Sequence, residues 1–285
     1  MKTRKILLPI IILLAVVFAL ELYLAWENKT IVTTKIEVVS EKIPESFSGY
    51  KIVHISDLHN TEFGFRNRRL IRKIREADPD IIVMTGDMVD MYRPHISVAV
   101  RLGEELSEIA PTYFVTGNHD VKAVGREELL AGFEKCGVET LRNKKVILEK
   151  DGEKISLMGI DDPKFLDDTM NGTDVENTEK ALELLTEKTE NSFEILLAHR
   201  PEMIDVYSSF KIDLVLSGHA HGGQINIPGK GGVVAPGQGW FPEYYEGLHT
   251  VNGTQMIVSR GLGNSAFPFR INNKPEIIIA ELKSK

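Results

Sequence analysis

Apolar and polar positions divide the chain into two unlike parts. Ile6 to Leu20 runs fifteen residues without a charge, and Leu22 to Trp26 continues the stretch beyond Glu21. Together they make about 21 residues, which at helical rise span roughly 30 Å, the thickness of a bilayer core. Pro9 lies inside the stretch. Tyr23 and Trp26 stand at its far end, as interfacial aromatics do, and Glu21 is close enough to that end to reach headgroups. An export signal needs only 7–15 apolar residues but also a small-x-small cleavage site, and Phe18-Ala19-Leu20-Glu21 offers none. An uncleaved signal anchor over residues 1–27 is therefore expected ahead of a cleaved signal or a buried core helix.

From Ile31 onward the pattern changes to short apolar runs separated by amphipathic segments. Lys35 to Val38 alternates like a strand, and Ser46 to Tyr50 reads as a turn, so residues 28–49 are expected to be a short tether and a first strand. Ile52 to Ile55, Ile81 to Met84 and Tyr113 to Val115 are strand-like runs. Helical spacing over Arg66–Ala77 and Ile96–Ile109 separates them. Ile155–Ile160, Ile195–Ala198, Asp213–Leu216, Met256–Ser259 and Ile277–Leu282 read as further strands, and Glu176–Thr189 as a helix. Strand and helix in alternation, with near-continuous apolar strands, predicts an α/β domain over residues 50–283. Gly229-Lys230-Gly231-Gly232 and Pro236 to Gly239 read as loop, placed to shape a substrate mouth.

Charge narrows the function. Lys plus Arg is 34 and Asp plus Glu is 41, a net −7. Without Lys2, Arg4 and Lys5 the balance is (34 − 3) − 41 = −10. An acidic domain without a basic stripe argues against nucleic-acid binding. The single cysteine, Cys136, excludes an internal disulfide and any thiolate metal cluster. Any metal must be held by His, Asp, Glu or Asn.

Candidate chemistry collects where the apolar runs end. Five runs lead into Asp57-Leu58-His59, Gly86-Asp87, Gly117-Asn118-His119, Ala198-His199 and Gly218-His219-Ala220-His221. In parallel sheets ligands bind beyond the carboxyl ends of strands, so these loops can converge on one cleft. A lone His after a strand is more often a turn or core residue. Five such blocks in order are hard to reach by accident. Two Asp, one Asn and five His suit Mn, Fe or Zn better than Ca or a soft copper site.

D-x-H, G-D-x-x-D, G-N-H-D, a lone H and G-H-x-H in this order resemble the calcineurin-like metallophosphoesterase superfamily. The resemblance spans roughly Tyr50 to Leu282 and implies a four-layer αββα sandwich of two mixed sheets, behind one N-terminal transmembrane helix. Gly218 to Gln224, with the anchor, is similar to the branch described as cell-wall or UDP-diacylglucosamine-hydrolase-like phosphoesterases. That branch more usually carries Thr where Ala220 stands.

Carried over by position, the resemblance assigns Asp57, His59 and His221 to one metal and Asn118, His199 and His219 to the other, with Asp87 bridging. Two divalent ions are implied, Mn²⁺ first, with Fe or Zn as alternatives. A carboxylate that offers one oxygen to each ion suits a separation of about 3.5–4 Å, and the water between the ions becomes a hydroxide that attacks phosphorus in line. His119 is implied as phosphoryl binder or general acid, with Asp120 orienting it. Asp120 and Asp90 read equally well as turn or capping carboxylates. Arg200 and Arg260 are candidate substrate-binding cations, as is Arg270; the competing reading for each is a solvated or ion-paired arginine. His54 reads as a core histidine, and His95 and His249 as surface residues. Cys136 reads as a small buried hydrophobe.

These readings predict a dinuclear phosphodiesterase or pyrophosphate-bond hydrolase, acting on a membrane- or wall-associated phosphoester, UDP-2,3-diacylglucosamine hydrolysis included. Competing readings are a surface module that binds anionic wall polymer or lipid headgroups without turnover, and a nuclease of the same superfamily. No obligate protein partner is expected. Three cations before the apolar span, against Lys29 and Lys35 after it, place the domain outside the cytoplasmic membrane. Protease added to intact spheroplasts should then digest the domain and leave a small membrane-bound stub; full protection until lysis would reverse the topology.

Overall fold

The apolar N-terminal stretch forms helix α1 (Lys2–Lys29), unbroken by Pro9. The computed structural model describes residues 2–165, 172–186, 192–265 and 267–285. From Leu8 to Lys29 the helix is long and apolar enough to cross a membrane, and from Leu8 to Leu22 its side chains are exposed. It extends two residues past the expected boundary at Glu27. Thr30 and Ile31 alone link it to strand β1 (Val32–Ser40), so the expected tether is mostly strand and turn.

Two six-stranded mixed sheets follow. The first contains β1, β2 (Lys51–Ile55), β3 (Ile81–Thr85), β4 (Thr112–Val115), β5 (Val138–Thr140) and β16 (Glu276–Ser284), in the order β1-β16-β2-β3-β4-β5. Its β2, β3, β4 and β5 are parallel neighbours, while β16 runs antiparallel to β2. The second holds β6 (Lys144–Lys150), β7 (Glu153–Gly159), β8 (Glu194–Leu197), β9 (Leu214–Ser217), β14 (Gly247–Val251) and β15 (Thr254–Val258), in the order β14-β15-β9-β8-β7-β6. Two small ribbons, β10 (Asn226–Ile227) with β11 (Gly231–Gly232) and β12 (Val234–Ala235) with β13 (Gly239–Trp240), occupy the segment read as loop.

Side-chain alternation builds the layers. In β3, Ile81 and Val83 enter the core between the sheets, while Ile82 and Met84 face the helices α2 (Arg68–Ala77), α3 (Ile96–Ser107) and α5 (Arg126–Lys135). In β9, Leu214 and Leu216 enter that same inter-sheet core, and Val215 faces α6 (Asp174–Leu185) and α7 (Ile204–Ser209). Strands apolar on both faces are what two-sided coverage demands, and the result is the expected αββα sandwich.

Element edges differ from the sequence reading for local reasons. Helix α2 starts at Arg68 rather than Arg66, because Arg66 and Asn67 adopt left-handed backbone and the Asn67 side chain accepts the Phe63 amide. Helix α6 begins earlier than expected, behind a capping box in which Thr173 accepts the Glu176 amide and Glu176 accepts that of Thr173. The end of the expected helix, residues 187–189, lies outside the described residues. The unexpected α5 and β6 lie where weak amphipathic periodicity hid them. His54 sits fully buried on β2, its Nε2 2.7 Å from the Thr85 hydroxyl, and burial pulls its pKa down to about 3.

Candidate metal centre

The loops after β2, β3, β4, β8 and β9 meet at the carboxyl ends of both sheets. Asp57 and His59 follow β2, Asp87 follows β3, and helix α4 (Asn118–Lys122) opens with Asn118 and His119 after β4. His199 follows β8, and His219 with His221 follows β9. All five blocks converge.

Two of the resulting clusters share Asp87, and a third group, His59, Asp90 and His119, adjoins the first. Asp57, His59, Asp87 and His221 offer ligand atoms within 4.8 Å of one another, and Asp87, His199 and His219 do the same. His221 Nε2 is 3.3 Å from Asp57 Oδ1 and 3.3 Å from His59 Nε2. Asp87 Oδ2 lies 3.5 Å from His59 Nε2 and 3.3 Å from His199 Nε2, so one carboxylate faces both groups. His219 Nδ1 is 3.1 Å from His199 Nε2. Asn118 Oδ1 is buried without a hydrogen-bond partner among the described residues, as an unused ligand oxygen would be. This donor set fits two divalent ions: hard carboxylates, borderline imidazoles and an orphaned amide oxygen.

The backbone is strained to achieve this. Asp57, His59, Asp87, His219 and His221 all have φ between 43° and 66°. Each left-handed non-glycine residue costs on the order of 1 kcal/mol, and such residues gather at functional sites. Close backbone approach adds a second constraint. At Gly86 (φ 90°) a Cβ would lie 2.5 Å from the Gly117 nitrogen and 2.7 Å from His199 Nδ1. At Gly218 it would overlap Ser56 Oγ and Asp57 Oδ2.

Surrounding groups contact the candidate ligands. His199 Nδ1 donates to the Thr85 carbonyl at 2.6 Å, which turns Nε2 toward the cluster. Asn273 donates to the His221 carbonyl at 2.7 Å, and the fully buried Arg270 reaches within 3.4 Å of His221 Nδ1. Glu202 Oε1 lies 3.7 Å from His219 Nε2. Burial pushes the Asp57 carboxyl up to about 6 and pulls the His59 ring down to about 4. For Asp87 burial is outweighed by His199 at 3.3 Å, which holds it well below the usual carboxylate range.

The structure redistributes the catalytic and cationic assignments. Asp120 was expected to orient His119. Instead, one of its oxygens accepts the amides of Met88 and Val89, and the other those of Asp87 and Gly117, at 2.6–3.1 Å. It ties down the Asp87 loop, and Asp90 stands 3.5 Å from His119 Nδ1. Asp90 was legible only as the last residue of the G-D-x-x-D block. His119 Nδ1 also accepts the Met91 amide, and its Nε2 lies 3.2 Å from the Ser265 hydroxyl. Arg200 is not presented to a ligand: its guanidinium is buried in a two-bond pair with Asp162 and a further bond to Asp174. Arg260 pairs with Glu276 at 2.8 Å and lines a cavity with Tyr23 and Trp26 instead of the metal cluster. Ser265, Asn273 and Glu202 carry no motif signal in the sequence.

The family model for calcineurin-like phosphoesterases matches residues 50–223, which contain every residue of both clusters. The chain belongs to the calcineurin-like metallophosphoesterases. It is 33% identical to the metallophosphoesterase YkuE of Bacillus subtilis over 90% of this chain and 87% of that one. The phosphodiesterase YaeI of Escherichia coli is 29% identical over 82% of each chain. A Danio rerio transmembrane protein with a metallophosphoesterase domain is 32% identical over 87% of this chain and 56% of that protein. Protein TT1561 of Thermus thermophilus shares the fold, with a TM-score of 0.51 at 14% identity over 75% of this chain and 91% of that one. The chain is thus a hydrolase by family, with a buried cluster suited to its metals.

Gly218→Ala tests the crowding. The added methyl displaces Ser56 or Asp57, so chemical denaturation should show a loss of about 1–3 kcal/mol, the usual cost of overpacking. Metal analysis of the purified variant should show reduced divalent-metal content.

Proposed function

We propose that this metallophosphoesterase is a dinuclear phosphohydrolase that cleaves a phosphodiester or pyrophosphate bond of a membrane- or wall-associated substrate. In this reading α1 anchors the domain on the extracytoplasmic side of the membrane. One observation supports the dinuclear chemistry above all others: Asp87 belongs to both ligand clusters, 3.5 Å from His59 and 3.3 Å from His199. Asp57, His59 and His221 would hold one ion with Asp87, and Asn118, His199 and His219 the other. Bound divalent ions, manganese the first expectation, supply charge stabilisation for the phosphoryl group and a nucleophile at neutral pH.

The chain's own residues do the remaining work. Thr85 fixes the His199 tautomer through its carbonyl. Asp120 ties down the amides of residues 87–89, which sets the direction of the Asp87 carboxylate. His119 donates a proton from Nε2 to the leaving oxygen when its ring is charged, and Nδ1 then donates to Asp90 in place of accepting the Met91 amide. Arg270 and Asn273 hold His221 in place.

Turnover of bis-p-nitrophenyl phosphate by the full-length protein with Mn²⁺ tests the proposal. Asp87→Asn should abolish it and lower the occupancy of both ions; two fully occupied ions in that variant would contradict the shared-ligand assignment. Binding of anionic wall polymer by metal-loaded protein, with no hydrolysis of any phosphoester, would establish the binding-module reading instead.

His119→Asn should keep both ions and lower kcat by about 10²–10⁴-fold. The loss should be greater for an alkyl leaving group than for p-nitrophenolate, which needs little protonation. Equal losses would make His119 a phosphoryl binder.

A further inference from the structure

The last two turns of α1 are bonded into the loop that closes the metal centre. Asn28 Oδ1 accepts the Arg270 amide at 3.0 Å and the Asn264 side chain at 2.8 Å. Glu27, 3% exposed, accepts the Asn273 amide at 2.8 Å, and the Tyr23 hydroxyl donates to Asn272 at 3.0 Å. Asn264 also donates to the Pro268 carbonyl at 3.0 Å. These bonds tie Asn264 and Arg270 to the end of α1 and Asn264 to Pro268.

Between Asn264 and Arg270 stands Phe267-Pro268-Phe269. Phe267 is 42% exposed and stacks edge-on against Phe269, with ring centroids 5.1 Å apart. The described residues leave Phe267 open to solvent on its outer side, although the same loop carries buried Arg270. On its inner side Phe267 joins Val234, Ala235, Pro236 and His221 in an apolar cavity of about 260 Å³. Trp240 is the cross-strand partner of Val234, so both project from one face of the ribbon, and Trp240 is 75% exposed. The cavity beside His221 therefore has Phe267 in its wall, and Trp240 stands on the ribbon that supplies Val234.

We propose that the Phe267-Pro268-Phe269 tip is a second membrane contact, seated in the headgroup region of the bilayer that α1 spans. The proposal rests on the anchoring reading of α1. Its occupant is lipid because of where the tip is tied. Asn28 lies two residues, about 3 Å along the helix, beyond the interfacial Trp26. The headgroup layer is several ångströms deep on each side of the hydrocarbon. A loop tied to Asn28 at Asn264 and Arg270 lies at that level, where aromatic rings are favoured. With only Thr30 and Ile31 between α1 and β1, the domain has no slack to swing away. The cavity beside His221 then opens at the bilayer surface, and the metal centre addresses phosphoesters at headgroup height. Because Asn273 and Arg270 also touch His221, the same contacts that set the height of the tip position a metal-cluster residue.

The chain has two tryptophans, Trp26 and Trp240, which permits a direct test with full-length protein in phosphatidylglycerol–phosphatidylcholine vesicles. One variant carries Trp240→Phe and keeps Trp26 as the internal standard. A second carries Trp26→Phe, Trp240→Phe and Phe267→Trp, with Phe269→Trp as the alternative reporter should the first not fold. Acyl-brominated lipid should lower the fluorescence of the reporter to within about twofold of the quenching seen at Trp26. Quenching at Trp26 with none at either reporter overturns the proposal and leaves the anchor standing. No quenching at any of these positions overturns the anchoring itself.

Discussion

Two carboxylates, Asp57 and Asp87, lie buried within a few ångströms of each other, and the architecture around them serves to make that tolerable. Buried like charges are costly unless paired and hydrogen-bonded. Here His59, His199 and His221 approach their oxygens at 3.3–4.0 Å, and the amides of His119 and His219 donate to them. This crowding explains the left-handed backbone at five of the seven candidate ligands, since extended strands ending side by side would point those side chains apart. It also explains why Gly86 and Gly218 have no room for a side chain. The family's two divalent ions are the natural counter-charge for such a cluster.

The sandwich provides the rigidity that this packing needs. Candidate ligands come from strands of both sheets, so the inter-sheet core fixes the distance between Asp87 after β3 and His199 after β8. Helices on each outer face lock the strands from behind. Within that frame the polar residues divide into three kinds of work. Asp57, Asp87, Asn118 and the clustered histidines face the centre. Thr85, Asp120, Arg270 and Asn273 aim them. Arg200 and Arg260 pair with carboxylates, Asp162 and Asp174 for the first and Glu276 for the second.

The N-terminal helix is more than an appendage to this arrangement. Its final turns share hydrogen bonds with the segment that reaches His221, so the anchor and the centre are mechanically one unit. A catalytic domain on a flexible tether samples many heights above a membrane. One joined by two residues and several polar contacts has its orientation to the helix fixed.

The fold class and the clustered residues were legible in the chain because both are local signals. A strand buried on two faces must be continuously apolar, and a ligand loop must follow it directly, so Ile52–Ile55 with Asp57 and His59, or Leu214–Leu216 with His219 and His221, announce themselves. The apolar run of α1 is local in the same way. Elements with weak periodicity, such as α5 and β6, did not stand out, since their burial is decided by neighbours distant in sequence. Pairing of polar groups was equally out of reach. Asp90 and Asp120 are chemically alike, one closing the G-D-x-x-D block and the other the G-N-H-D block, but only the folded turn shows that Asp120 faces four amides and Asp90 faces the imidazole. Arg200 and Arg260 resembled anion binders until Asp162 and Glu276 were brought beside them. Sequence determined which residues gather at the strand ends, because hydrophobic burial orders the chain locally; tertiary structure alone decided which charge meets which, because electrostatic partners are chosen across space.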